Sequence, residues 1–215
     1  MLKRKIYDAL IAWKNSSKGT TAMMIDGARR VGKSYIAEQF AKAEYKSYIL
    51  IDFGRAPTDV LDLFINDSAD LDLFFAKLAA FYSTTLHKRE SLIIFDEVQD
   101  CPKVINSMKY FCENAPQYHV ACAVFLLDIA LAKPSSFPVG KVNFMQIDPM
   151  TFTEFLLANG DENLMQYLQQ ADTLEPIPDA FFNPLYEKLK MYYVTGGMPE
   201  SVLMWTEARD VSAMQ

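Results

Sequence analysis

The chain has 215 residues, a formal net charge of −6 and a sequence pI of about 5.0, and its length suits one domain of ordinary size with a small addition. Hydrophobic residues make up 51% of the chain and charged residues 22%, which supplies a core and excludes global disorder. The acidic balance argues against direct nucleic-acid binding, because such binding depends on basic residues that neutralise phosphates.

Cysteine usage and hydropathy both bear on the cellular compartment. Cys101, Cys112 and Cys122 match no metal-binding or redox spacing, so we expect buried thiols in a reducing environment. The basic residues at 3–5 are followed by a stretch that Asp8 interrupts, and no signal peptide is predicted. No apolar run reaches the roughly 18 residues that a membrane span needs. We therefore predict a cytoplasmic protein without a membrane segment.

The first predicted element is a lead-in helix over residues 4–14, with Ile6, Leu10 and Trp13 on one face. Apolar runs of strand length follow, and helical patterns separate the first four. The predicted strands are residues 22–25, 47–53, 91–95, 119–127 and 142–147. Continuous apolar strands that alternate with helices are typical of a parallel sheet covered on both faces, which predicts an α/β domain.

The strand patterns stop after about residue 150. Helical patterns then cover residues 151–157, 163–171, 180–193 and 199–208. The sequence therefore predicts an α/β domain over residues 1–150, followed by a small helical region over residues 151–215.

An octet at residues 27–34 matches the phosphate-binding motif G-x-x-x-x-G-K-[ST]. It leaves an apolar strand and enters a helical pattern, the context in which backbone N–H groups at a helix N-terminus bind phosphate. Gly27 and Gly32 permit positive φ and close approach of the backbone to oxygen atoms. We expect Lys33 to reach the β- and γ-phosphates of ATP, and the Ser34 hydroxyl to ligate Mg²⁺. The predicted nucleotide-binding residues are Gly27, Ala28, Arg29, Arg30, Val31, Gly32, Lys33, Ser34 and Tyr35.

A second strand of the same site is predicted at residues 92–97 (LIIFDE), where apolar residues end in two carboxylates. We expect Asp96 to hold Mg²⁺ through water and Glu97 to face a water that attacks the γ-phosphate. Small-molecule kinases need no water-activating glutamate beside the metal aspartate. The pair therefore favours ATP hydrolysis over phosphotransfer.

Several segments taken together resemble a prokaryotic family of AAA-type ATPases. They are GARRVGKS at 27–34, FDEVQDCP at 95–102, FPVGKV at 137–142, DPMTFTEFLLANG at 148–160 and YYVTGGMPES at 192–201. The resemblance implies a P-loop NTPase fold with a five-stranded, mostly parallel sheet, the phosphate-loop strand central, and ATP with Mg²⁺ as ligands. Full family members are longer and carry a C-terminal domain of nuclease-like fold. We therefore expect a nucleotide-binding domain at 1–150 and a truncated helical lid region at 151–215, with the partner site on the missing domain.

The family roles transfer to Lys33, Ser34, Asp96 and Glu97, which all match. Gln99 fits the family's Asp-Glu-x-Gln pattern, and either relays the state of the site or simply starts a helix. Lys141 lies where many relatives place an arginine; in AAA proteins this region often supplies a cation to a neighbouring subunit, which would require a homo-oligomer. Lysine keeps that charge but loses the planar fork of arginine. Arg29 and Arg30 either do a similar job from the loop or form a solvated charge pair.

The end of the fourth predicted strand departs from the family pattern. Relatives usually read Gly-Ser-Leu-Leu-Gly there, with a small polar residue that contacts the γ-phosphate or its attacking water. This chain has Val124 and Phe125, whose side chains form no hydrogen bonds. Asp128 follows and either compensates for the missing polar contact or, as a further carboxylate, repels the triphosphate. We therefore expect slow hydrolysis.

Three functions compete on this evidence. The leading hypothesis is an ATPase module that couples Mg-ATP binding and hydrolysis to conformational change, with ADP as product. A nucleotide-dependent switch or scaffold that binds ATP without useful hydrolysis is the second. A P-loop kinase is the third, and transfer of phosphate to a small acceptor would reveal it.

Overall fold

The computed structural model describes residues 4–66, 70–124, 140–171 and 174–208. Five parallel strands form one sheet in the order β2-β3-β4-β1-β5. They are β1 (Ala22–Asp26), β2 (Ser47–Asp52), β3 (Ser91–Asp96), β4 (His119–Val124) and β5 (Val142–Gln146). The predicted α/β P-loop fold class is confirmed. One detail is corrected, because β1 lies inside the sheet but β4 occupies its middle position.

Helices connect the first four strands, as the apolar periodicity predicts. The helices of the α/β part are α1 (Ile6–Ser17), α2 (Lys33–Glu44), α3 (Thr58–Asn66), α4 (Leu71–Phe81) and α5 (Pro102–Asn114), with a short 3-10 helix at Val98–Asp100. The later helices are α6 (Phe152–Ala158), α7 (Glu162–Gln170), α8 (Asp179–Thr195) and α9 (Pro199–Ala208). Residues 125–127 of the predicted fourth strand lie outside the described residues.

Successive strand residues point to opposite faces of the sheet, and in β1, β3 and β4 the residues on both faces are buried. On one face Phe64 lies at the centre of an aromatic cluster, with its ring centroid 5.0 Å from that of Phe74 and 5.6 Å from that of Phe95. Each such edge-to-face pair contributes about 0.5–1.5 kcal/mol beyond area burial. On the other face Leu10 of α1 and Phe40 of α2 are fully buried. A sheet buried on both sides holds the carboxyl ends of its strands in fixed positions.

The three cysteines agree with the sequence analysis. Cys101, Cys112 and Cys122 are free and buried, which confirms the expected thiols, and burial raises the pKa of Cys112 to about 11. Among the described residues, no helix is long and apolar enough to cross a membrane.

The chain divides into two compact units, one formed by Ile6–Ile147 and the other by the residues from Asp148 onward together with Arg4 and Lys5. The second unit has a small apolar core in which Met150, Phe155 and Val202 are fully buried.

A buried ion pair joins the start of the chain to α6 within the second unit. Arg4 Nε lies 3.2 Å from Glu154 Oε1, and both side chains are almost fully buried. Glu154 also accepts hydrogen bonds from the backbone N–H of Lys5 and from that of Thr151, both at 2.8 Å. The Thr151 contact belongs to a capping box at the start of α6. Burial acts against the charged carboxylate, but these backbone donors and Arg4 together lower the pKa of Glu154 below its ordinary value of 4.5.

We expect Glu154→Gln to destabilise this unit by about 3 kcal/mol or more, because it removes the buried carboxylate charge that faces the Arg4 guanidinium. Urea unfolding of the variant beside the unmodified chain measures the effect. The lowered pKa means that the ion pair contributes fully above about pH 4.5 and loses its contribution as pH falls through the folded-state pKa. The stability difference should therefore shrink below pH 4.5. Glu200→Gln, at an exposed position on α9, is the matched control and should have little effect.

Candidate nucleotide site

The loop at residues 27–34 connects β1 to α2 at the carboxyl edge of the sheet. Gly32 precedes α2 in the left-handed conformation, with φ of 89°, and its carbonyl accepts the first helical hydrogen bond from Ile36 N at 2.9 Å. A residue with a side chain rarely adopts this backbone conformation, so glycine is needed here. The first N–H groups of α2 have no partner within the helix, and such groups are an anion-binding feature.

Gly27 is required for space rather than for a positive φ. A Cβ atom at this position would lie 2.2 Å from the Ile147 carbonyl oxygen and 3.1 Å from Val31 Cγ2. Its φ is not among the positive values, whereas Arg30 has φ of 67°. The expectation that both glycines serve positive φ is therefore correct for Gly32 and wrong for Gly27.

Lys33 is anchored inside the loop. Its ammonium donates to the carbonyl oxygens of Gly27 at 2.8 Å and Ala28 at 2.9 Å. Burial lowers the pKa of Lys33, and the negative charges of Glu97 and Asp96 oppose that decrease. The Lys33 ammonium and the carboxylates of Asp96 and Glu97 are therefore close enough to influence one another's charge.

Asp96 is the last residue of β3, and the Ser34 side chain is near enough to act on the pKa of its carboxylate. Asp96 Oδ1 also accepts from Glu97 N at 3.1 Å. Burial raises the pKa of Asp96, the Ser34 side chain opposes this, and the neighbouring Glu97 charge adds to it. A hydroxyl and a carboxylate are hard oxygen donors, the type that Mg²⁺ prefers. The residues present fit a magnesium ion.

Glu97 and Gln99 form a second contact beside this pair. Glu97 is exposed and has φ of 51°, in the left-handed region. Gln99 Nε2 donates to Glu97 Oε2. Lys33, Ser34, Asp96, Glu97 and Gln99, predicted from separate parts of the sequence, are thus gathered at one edge of the sheet.

Further carboxylates border the site, although the sequence analysis did not identify them. Asp52 ends β2 and pairs in register with Asp96 of β3, while Asp26 ends β1 directly before the loop. Asp52 Oδ1 accepts from Gly54 N at 3.0 Å. Both residues are the last of their strands, as Asp96 is of β3. An aspartate at the end of an apolar run is therefore the sequence pattern that could have identified them.

Lys141 lies at the opposite edge of the sheet from the loop. Its carbonyl accepts from Ala22 N at 2.8 Å at the start of β1, and its ammonium lies 3.8 Å from Glu113 Oε1. It does not join the site of its own chain.

The remaining predicted residues are spread over the loop and its surroundings. Tyr35 is 48% exposed on the first turn of α2, and Arg29 and Arg30 are exposed on the loop. Val124 is buried at the carboxyl end of β4, in register with Asp26. Phe125 and Asp128 lie outside the described residues.

A parallel sheet with a glycine-rich phosphate loop after β1 and an Asp-Glu pair after β3 defines a P-loop nucleotide-binding ATPase module. The AAA domain family matches residues 19–156, and the chain belongs to this family. A search of curated proteins gives no match.

Solved structures show the same fold at low identity. Caenorhabditis elegans PCH-2 has a TM-score of 0.52 and 10% identity over 98% of this chain. Drosophila ORC bound to DNA has a TM-score of 0.54 and 14% identity over 97% of this chain. Aeropyrum pernix ORC2 in its ADP form has a TM-score of 0.50 and 14% identity over 100% of this chain. The chain spans 65% of the first of these structures and 61% of each of the other two.

Proposed function

We propose that this chain binds Mg-ATP at the loop 27–34 and couples binding and slow hydrolysis to conformational change. The observation that carries the proposal is the Lys33 ammonium, which is held in the loop 2.8 Å from the Gly27 carbonyl oxygen and is influenced by the negative charges of Glu97 and Asp96. This arrangement supports a phosphate-binding cation close to carboxylates that would hold a metal ion. Glu97 N donates to Asp96 Oδ1 at 3.1 Å, so the glutamate is next to the aspartate that would bind the metal ion.

Each residue of the site has a separate task in this proposal. The N–H groups at the start of α2 and the Lys33 ammonium bind the β- and γ-phosphates. Ser34 and Asp96 hold Mg²⁺, which would neutralise phosphate charge when bound. Glu97 accepts a proton from a water molecule and orients it. ADP and phosphate are the products.

A switch that binds ATP without useful hydrolysis is the second candidate, and Val124 is the observation that favours it. Its buried isopropyl group occupies the carboxyl end of β4, where an ATPase of this type needs a polar contact. Measuring phosphate release beside ATP affinity distinguishes the two functions. Transfer of phosphate to a small acceptor would instead indicate a kinase.

The finer features of the proposal follow from the family resemblance. We propose a cytoplasmic protein with a nucleotide-binding domain at 1–150 and a lid region from residue 151. The longer family members carry a C-terminal nuclease-like domain, which would hold the partner site of the whole protein. Lys141, remote from its own loop, would act on a neighbouring subunit in a homo-oligomer. Analytical ultracentrifugation with and without ATP tests that assembly.

We expect Lys33→Ala to weaken ATP affinity at least tenfold, a loss of about 1.4 kcal/mol or more, because the ammonium makes desolvated, charge-assisted bonds to phosphate. Isothermal titration calorimetry with Mg-ATP measures the change. Lys42→Ala is the matched control, since Lys42 lies on the same helix and pairs with Glu38 at the surface, with an N–O distance of 2.8 Å. An unchanged affinity in Lys33→Ala would refute the nucleotide site.

A further inference from the structure

The Glu97 carboxylate lies next to Asp96 at the carboxyl end of β3, where Glu97 N donates to Asp96 Oδ1 at 3.1 Å. Its negative charge acts on the pKa of Lys33, as do those of Asp96 and Asp26. The Glu97 backbone is in the left-handed region, with φ of 51°. A residue with a side chain persists in that conformation only where the surrounding structure holds it there.

Gln99 supplies a side-chain contact to this carboxylate. Its Nε2 donates to Glu97 Oε2. Because an ionised carboxylate only accepts hydrogen bonds, the orientation of the amide is determined, with its nitrogen toward Glu97.

The other amide atom, Gln99 Oε1, is consequently turned away from Glu97. It is buried and accepts no hydrogen bond within the described residues. A buried acceptor without a donor lowers the stability of a fold. An apolar residue of similar size would avoid that loss. Glutamine at position 99 therefore makes the contact with Glu97 at a cost in the stability of the fold.

We propose that Gln99 is a positioning residue for hydrolysis, whose amide fixes the orientation of the Glu97 carboxylate beside Asp96. This inference rests on the proposed ATPase function and adds to it. A residue that only packs in the fold would lower stability when it is replaced. A positioning residue predicts instead that removal of the amide slows hydrolysis without lowering stability.

The test uses the full chain and the variant Gln99→Leu. We expect ATP affinity within about threefold of the unmodified chain, and a single-turnover hydrolysis rate lower by about tenfold or more, because misplaced catalytic groups lose rate rather than binding. The thermal midpoint should be equal or higher. Gln39→Leu on α2 is the matched control and should leave the rate unchanged. Gln99→Glu keeps the shape of the side chain but removes the N–H donor to Glu97. It therefore tests the role of the amide if Gln99→Leu fails to fold.

A double-mutant cycle shows whether the effect passes through Glu97. In the Glu97→Gln background, Gln99→Leu should slow hydrolysis by less than about twofold, because the group it positions is already gone. The inference is overturned if Gln99→Leu slows hydrolysis about tenfold in the Glu97→Gln background as well. It is also overturned if Gln99→Leu and Gln99→Glu hydrolyse ATP at the normal rate while Glu97→Gln is slow. Failure of the proposed function looks different: either the unmodified chain does not bind ATP or Glu97→Gln has no effect, and both results also remove the role of Gln99.

Discussion

Glu97→Gln is expected to slow ATP hydrolysis about a hundredfold while leaving ATP affinity nearly unchanged, as is typical for loss of a general base. Glutamine keeps the shape of the side chain but does not take a proton from water at neutral pH. The contacts that would bind phosphate come from Lys33 and the loop, which this substitution does not alter. Single-turnover hydrolysis of labelled Mg-ATP, with calorimetry for affinity, measures both quantities.

A matched control for this variant lies at the other end of the same strand. Glu90 directly precedes β3 and forms an exposed ion pair with Lys46, with an N–O distance of 2.6 Å. Glu90→Gln therefore removes the same charge on the far side of the sheet, and should leave hydrolysis unchanged. Equal rates in Glu97→Gln and the unmodified chain would mean that Glu97 is merely a neighbour of Asp96.

Most of the fold could be predicted because its signals are local and strong. Each apolar run became a strand, and those at residues 91–95 and 119–124 are buried on both faces, while each helical period became a helix. The order of strands in the sheet is a different matter, because it depends on pairing between distant segments. The middle position of β4 could not be read from any single segment.

The candidate site was predictable to the extent that its residues follow motifs. The loop and the Asp-Glu pair each carry a spacing with a known physical purpose, and the fold brings them into contact. Asp52 carries no motif, and its place beside Asp96 depends on the register of β2 against β3. The need for glycine at position 27 likewise arises from Ile147, which is distant in the sequence.

The end of β4 is the feature that bears on hydrolysis rate. Val124 is buried there, beside the end of β1 from which the phosphate loop departs. Its apolar side chain donates no hydrogen bond to a reacting phosphate. One preorganised transition-state contact is commonly worth about 2.7–4 kcal/mol, or a hundred- to a thousandfold in rate. We therefore expect the unmodified chain to bind ATP and hydrolyse it very slowly, and brisk phosphate release would contradict this.

Restoring the family pattern with Val124→Gly, Phe125→Ser and Asp128→Gly should raise single-turnover hydrolysis by up to about a hundred- to a thousandfold and change ATP affinity only a few fold, because the added serine contact acts on the transition state. Two controls isolate that contact. Val124→Gly alone loses buried apolar area and weakens the strand without adding a hydroxyl, so it should lower the thermal midpoint and leave hydrolysis slow. Adding Glu97→Gln to the triple variant should abolish the gain, because the new contact and the base act in the same step. If the folded triple variant hydrolyses ATP no faster than the unmodified chain, the polar contact at the end of β4 is not what limits the rate.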